Sequence, residues 1–150
     1  MPNTMVFLDS RVNDIDLLVS QFEAGTEYQI LDANSDGVLQ IEAALTGKSD
    51  YSSIQIISHG SAGSITIGST LLSSNNLTEY QSHLETIGHS LTDNGDLLLY
   101  GCSVAAGDSG HQFIDTLSHL TNADVTASDN LTGGTVAGGD WKLDRVYWFD

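Results

Sequence analysis

Ile54-Gln55-Ile56-Ile57-Ser58-His59-Gly60 and Leu97-Leu98-Leu99-Tyr100-Gly101-Cys102-Ser103 are the stretches on which the fold turns. Each is an apolar run of strand length that breaks abruptly into polar residues and glycine. Apolar runs without polar alternation are how strands buried on both faces read. Tyr28-Gln29-Ile30-Leu31 reads the same way, and Met5-Val6-Phe7-Leu8 and Asp124-Val125-Thr126-Ala127 add further strands.

Helical spacing fills the intervals. Val12 to Phe22 puts Ile15, Leu18, Val19 and Phe22 on one face, and Gly37 to Leu45 does so with Val38, Ile41 and Leu45. Leu77 to Ile87 aligns Leu77, Tyr80, Leu84 and Ile87, and Gly110 to Leu120 aligns Phe113, Ile114, Leu117 and Leu120. Strand and helix in alternation predict βαβ units, a mainly parallel sheet and helices on both of its faces. The chain reads as one α/β domain over residues 1–150, without internal repeat, linker or low-complexity block. Ser64 to Leu72 reads as a small hairpin inserted after the third strand, and Trp141 to Phe149 as an edge strand.

Charge narrows the partners. Twenty acidic residues stand against four basic ones, Arg11, Lys48, Lys142 and Arg145, for a formal net charge of −16. Phosphate contacts need clustered Lys and Arg, so nucleic acid and anionic membrane surfaces are poor partners. No apolar stretch reaches the roughly 20 residues of a membrane span, so no membrane insertion is expected. The N-terminal MPNTMVFLDSRVND lacks the basic-then-apolar order of a secretory signal. The expectation is a cytoplasmic protein, a protein exported without an N-terminal signal, or a piece of a longer chain. A single cysteine, Cys102, excludes an internal disulfide and a multi-thiolate zinc site.

In open α/β sheets functional residues collect beyond the carboxyl ends of the strands. Here those ends carry His59 and Cys102. If their strands are neighbours, both residues stand on one rim. A thiol is a strong nucleophile as thiolate, and a nearby imidazole takes its proton and returns it to a leaving amine. The backbone N–H groups of Gly60 and Cys102 are the natural donors to the oxyanion. Without catalysis, the same residues are a buried structural cysteine and a loop histidine.

These motifs resemble those of the caspase-like cysteine peptidases, the clan that includes gingipains, legumain and the self-cleaving domains of bacterial toxins. The matching residues are Ile56-Ile57-Ser58-His59-Gly60 and Leu98-Leu99-Tyr100-Gly101-Cys102-Ser103. The Gly-Cys-Ser form is more similar to the toxin domains, and the caspase Gln-Ala-Cys motif is absent. A resemblance over nearly the whole chain is to a domain of unknown function near the N-termini of giant bacterial surface proteins with cadherin-like or calcium-binding repeats. It rests on Val6-Phe7-Leu8-Asp9-Ser10, Leu31-Asp32, Asp36-Gly37, Ser58-His59-Gly60-Ser61-Ala62-Gly63, Leu99-Tyr100-Gly101-Cys102, Val104-Ala105-Ala106-Gly107, Ala127-Ser128-Asp129 and Leu131-Thr132-Gly133. The resemblance implies a caspase-like three-layer sandwich and a His59–Cys102 dyad. It also implies export or cell-surface display within a large adhesin-like protein. By the same resemblance Ser128 and Asp129 line the pocket for the residue before the scissile bond. Asp129 would then favour Lys or Arg there, which makes Lys142 and Arg145 candidate self-cleavage points. Read from the residues alone, Ser128 and Asp129 are turn or cap residues.

Asp32-Ala33-Asn34-Ser35-Asp36-Gly37 copies the first half of a calcium loop, which makes Asp32, Asn34 and Asp36 candidate ligands. The twelfth position is Ala43 instead of Glu, so a strand-to-helix turn capped by Asp36 is the alternative. No other cofactor is expected. His83, His89, His111 and His119 read as surface or boundary residues, and Asp9 and Ser10 as polar lining of the rim or caps of the next helix. The expected function is a cysteine endopeptidase acting on a polypeptide, its own parent chain included. The alternatives are a catalytically silent capping module and a module that binds a surface partner.

Overall fold

The computed structural model describes residues 4–12, 15–22, 24–100, 104–127 and 145–147. The strands are β1 (Thr4–Asp9), β2 (Glu27–Leu31), β3 (Tyr51–Ile57), β4 (His59–Ser61), β5 (Ser64–Ile67), β6 (Thr70–Ser73), β7 (Leu91–Tyr100), β8 (Asp124–Ala127) and β9 (Arg145–Tyr147). The helices are α1 (Ile15–Ser20), α2 (Gly37–Leu45), α3 (Gln81–His89) and α4 (Gly107–Thr121), with a 3₁₀ turn over Leu77–Tyr80 leading into α3.

Among the described residues the main sheet has the order β2-β1-β3-β7-β8-β9. The first five strands are parallel and β9 joins the edge antiparallel to β8. Strand alternation divides the apolar residues between two faces. Met5, Phe7, Ile54, Ile56, Leu97, Leu99 and Val125 share a core with Val38 and Ile41 of α2, Leu84 and Ile87 of α3, and Phe113, Ile114 and Leu117 of α4. Val6, Leu8 and Ile57 face the other way, against Val12, Ile15, Leu18 and Phe22 in and beside α1. The result is a three-layer α/β sandwich, as the alternating pattern predicts. Each fully buried Leu, Ile or Phe contributes about 1.5–3 kcal/mol.

The small antiparallel sheet β4-β5-β6 adds Ile65, Ile67 and Leu72 to the larger core. The α2 helix starts where Asp36 accepts hydrogen bonds from the N–H groups of Val38 and Leu39. The α4 helix ends at Asn122 in the left-handed conformation (φ 60°), a residue type that tolerates it. A Cβ at Gly88 would lie 1.7 Å from the Thr121 carbonyl oxygen, so glycine is what lets α3 approach the end of α4.

Three expectations are corrected in detail. The β2 strand is not buried on both faces: it is the sheet edge, with Tyr28 and Ile30 nearly half exposed. The β7 strand begins at Leu91, upstream of the apolar run, because Leu91 pairs with Tyr51 before the register shifts between Tyr51 and Ser53. The insertion after β3 is three-stranded, since His59–Ser61 pairs with β5. The described part of the tail, Arg145–Tyr147, is the expected edge strand.

The chain leaves β1 for β2, returns past β1 to β3, and continues outward to β7 and β8. The strand order therefore reverses between β1 and β3. In open α/β sheets a crevice forms at such a switch point, outside the carboxyl ends. The residues at that point are Asp9 at the end of β1 with Ser10 and Arg11 after it, and Ser58, His59 and Gly60 after β3.

Candidate functional site

Asp9 closes β1 and is completely buried. Its Oδ1 accepts the Arg11 main-chain N–H at 3.0 Å and Nε at 2.8 Å. Its Oδ2 accepts Arg11 Nη2 at 2.8 Å and the Gly68 N–H at 2.8 Å. Arg11 Nη2 also donates to the Gly68 carbonyl oxygen. This is a forked, charge-assisted pair on a carboxylate with little access to water. Burial pushes the Asp9 carboxyl upward, but the hydrogen bonds from Arg11 and from the Gly68 N–H outweigh it and leave the group below its ordinary range. The same bond to Asp9 raises Arg11 above its ordinary value.

His59 is exposed at the start of β4. Its Nε2 lies 3.0 Å from the Arg11 carbonyl oxygen. A carbonyl oxygen only accepts, so this partner assigns the proton to Nε2 and leaves the lone pair of the neutral ring on Nδ1. The backbone of His59 is fixed separately, opposite Thr66 of β5, with Gly60 opposite Ile65. Sequence reasoning gave Arg11 no role, and its signal was thin: one base among four, two residues past a strand that ends in Asp.

Cys102 lies outside the described residues, as do Gly101 and Ser103. The described residues flanking that stretch both bond to the segment that carries His59. The Ser58 N–H donates to the Tyr100 carbonyl oxygen at 3.1 Å, and the Gly63 N–H to that of Val104 at 3.0 Å. Ile57 stands opposite Tyr100 in the parallel ladder, so β3 and β7 are neighbours. Tyr100 reaches the α1 side of the sheet, where burial raises its hydroxyl pKa. Ser128, Asp129 and Lys142 also fall outside the described residues, and Arg145 is described by its backbone alone.

Asp32, Asn34 and Asp36 form the β2-to-α2 turn. The Asn34 N–H donates to Asp32 Oδ1 at 2.8 Å, and Gln40 Nε2 donates to the Asp32 and Ser35 carbonyls at 2.9 and 3.0 Å. Asp36 Oδ1 caps α2, and Oδ2 accepts the Tyr80 hydroxyl at 2.6 Å. Burial pushes the Asp36 carboxyl up, but the Tyr80 hydroxyl, the Thr70 side chain and the capped N–H groups outweigh it and hold it below its ordinary range. Among the described residues no three His, Cys, Asp or Glu side chains converge as metal ligands. His83 Nδ1 sits 2.8 Å from Glu42 Oε1, joining α3 to α2, while His89 and His119 are exposed and His111 is half-buried. Among the described residues no helix is long and apolar enough to cross a membrane.

No curated protein matches the chain. The model of a family described as a domain of unknown function, DUF4347, matches residues 5–147, and the chain belongs to that family.

Proposed function

We propose that this domain is a caspase-like cysteine endopeptidase in which His59 activates Cys102, and that it works on polypeptide, its own parent chain included, within a larger secreted bacterial surface protein. The observation that carries the reading is the His59–Arg11 hydrogen bond, which leaves a basic Nδ1 on an exposed ring at the switch point of the sheet. Cys102 is two residues from Tyr100 and two from Val104, both tied to the strand and loop around His59. Two residues of extended chain span at most about 7 Å, a short tether. The acidic composition and the sequence resemblance support the exported, adhesin-like setting.

The chemistry is acyl transfer. The Cys102 thiol gives its proton to His59 Nδ1, and the sulfur attacks the scissile carbonyl carbon. The oxyanion draws on the N–H groups of Gly60 and Cys102. The C–N bond breaks as His59 returns the proton to the leaving amine. Water, deprotonated by the same nitrogen, then cleaves the thioester.

The test is alkylation of Cys102 by iodoacetamide in the full chain, alongside mass spectrometry for cleavage. Wild type is expected to react faster than free cysteine near neutral pH, with His59→Ala slower by on the order of 100-fold. A rate equal to that of free cysteine, unchanged by His59→Ala, together with no cleavage, would favour a silent capping module instead.

A further inference from the structure

His59 is held at two points, and both lead to one buried carboxylate. Its backbone pairs with Thr66 in β5. Two residues on, past Ile67, stands Gly68, whose N–H donates to Asp9 Oδ2. Its ring is held by the carbonyl of Arg11, whose own N–H and guanidinium are bound to Asp9. The path runs from the His59 backbone through Thr66, Gly68, Asp9 and Arg11 to the His59 ring and closes on itself.

We infer that Asp9 is a positioning residue for His59, acting through Arg11 and Gly68 to aim the Arg11 carbonyl at the imidazole. The inference rests on the reading of His59 as the base. Among the described residues the carboxylate accepts four hydrogen bonds, and all four come from this frame, two from Arg11 at Oδ1 and one each from Arg11 and Gly68 at Oδ2. Arg11 spans the gap because its guanidinium reaches the Asp9 carboxylate and the Gly68 carbonyl together, a geometry a lysine ammonium does not reproduce. Without the frame, the turn after β1 keeps its carbonyl but loses what fixes its direction. The imidazole then relaxes toward the mixed tautomer population of a free histidine ring, in which Nδ1–H is also present.

The test reads the tautomer directly. The ring nitrogen shifts of His59 are measured in the ¹⁵N-labelled full chain and identified by their loss in His59→Ala. Arg11→Ala, Arg11→Lys and Asp9→Asn are compared with wild type, and circular dichroism establishes that each variant folds. Arg11→Ala leaves the buried Asp9 carboxylate without its charge partner, so Arg11→Lys, which keeps a positive charge beside it, decides the question where neither Arg11→Ala nor Asp9→Asn folds: a wild-type tautomer pattern in folded Arg11→Lys then overturns the inference. Wild type is expected to show the Nε2–H form, Arg11→Ala a mixture of both forms, and Arg11→Lys an intermediate pattern. Folded Arg11→Ala and Asp9→Asn that both keep the wild-type pattern overturn the inference. Iodoacetamide rates at Cys102 separate the two claims. If His59→Ala does not slow alkylation, the peptidase reading fails, while the tautomer shift still decides whether Asp9 positions the ring. If both hold, Arg11→Ala slows alkylation by on the order of 10- to 100-fold.

Discussion

The main-chain N–H of Gly68 donates to Oδ2 of Asp9 at 2.8 Å, across 59 residues of sequence. Gly68 has φ +60°, and a Cβ there would lie 2.1 Å from the Ser35 carbonyl oxygen. Gly68→Ala therefore meets two costs: about 1–3 kcal/mol for the left-handed backbone and a clash with a main chain that has little room to yield. Gly25→Ala is the control, because Gly25 has φ +90° and nothing within 4 Å of its Cβ position. In urea unfolding Gly68→Ala is expected to lose clearly more stability than Gly25→Ala. Equal losses would mean that the contact with Ser35 is unimportant.

Acid sensitivity follows from two carboxylates. Asp9 and Asp36 are both held below their ordinary range: burial opposes this, and the hydrogen bonds they accept prevail. A group whose folded pKa is depressed stabilises the fold fully above its unfolded value, about 3.9 for Asp. That contribution disappears as pH falls through the folded value. Stability is thus expected to fall below about pH 4, and Asp9→Asn, where it folds, to flatten the slope. An Asp9→Asn variant with the wild-type pH slope would remove Asp9 from the explanation.

Asp36 is predicted to act as a cap and an anchor. Its loss in Asp36→Ala costs about 1 kcal/mol for the cap and about 1 kcal/mol for the hydrogen bond from the part-buried Tyr80 hydroxyl. Tyr80→Phe removes the hydroxyl along with its need and should cost about 1 kcal/mol. Thermal melts with and without millimolar calcium distinguish the roles. A calcium-induced rise in Tm in wild type that vanishes in Asp36→Ala would make the residue a ligand.

Across the sheet, Asp96 of β7 stands directly opposite Asp124 of β8. Burial first, then the Asp124 charge, raises the Asp96 carboxyl above its ordinary value. Like charges facing each other on paired strands are destabilising. Asp96→Asn is expected to stabilise the protein at pH 7 by about 0.5–1 kcal/mol. A raised folded pKa means that wild type recovers stability as pH falls through it, so the advantage of the variant shrinks on acidification. An unchanged advantage from pH 7 to pH 4 would contradict the charge explanation.

The elements legible in the sequence are those whose pattern and burial coincide. The α2 helix spans Gly37–Leu45 and β8 spans Asp124–Ala127, as their periodicity predicts. The β2 strand misleads because Tyr28-Gln29-Ile30-Leu31 is apolar enough for a central strand, and only the strand order reveals it as an edge. The start of β7 has no apolar signal: Thr92, Asp93 and Asn94 are exposed, and the strand is defined there by pairing alone. His59 was legible because it follows a buried run. Its partner was not, since a main-chain carbonyl carries no side-chain signature and Gly68 lies 59 residues from Asp9.

The open edge of β2 has a colloidal consequence. Among the described residues no strand pairs with its outer side, which offers ladder groups to an extended chain beside exposed Tyr28 and Ile30. A formal charge of −16 makes copies of the chain repel each other, which protects that edge by long-range repulsion instead of steric cover. Such protection shortens with the Debye length, from about 30 Å at 0.01 M salt to about 3 Å at 1 M. Dispersal of the protein is therefore a property shared between its sequence and its solvent, strongest in dilute buffer and weakest in brine.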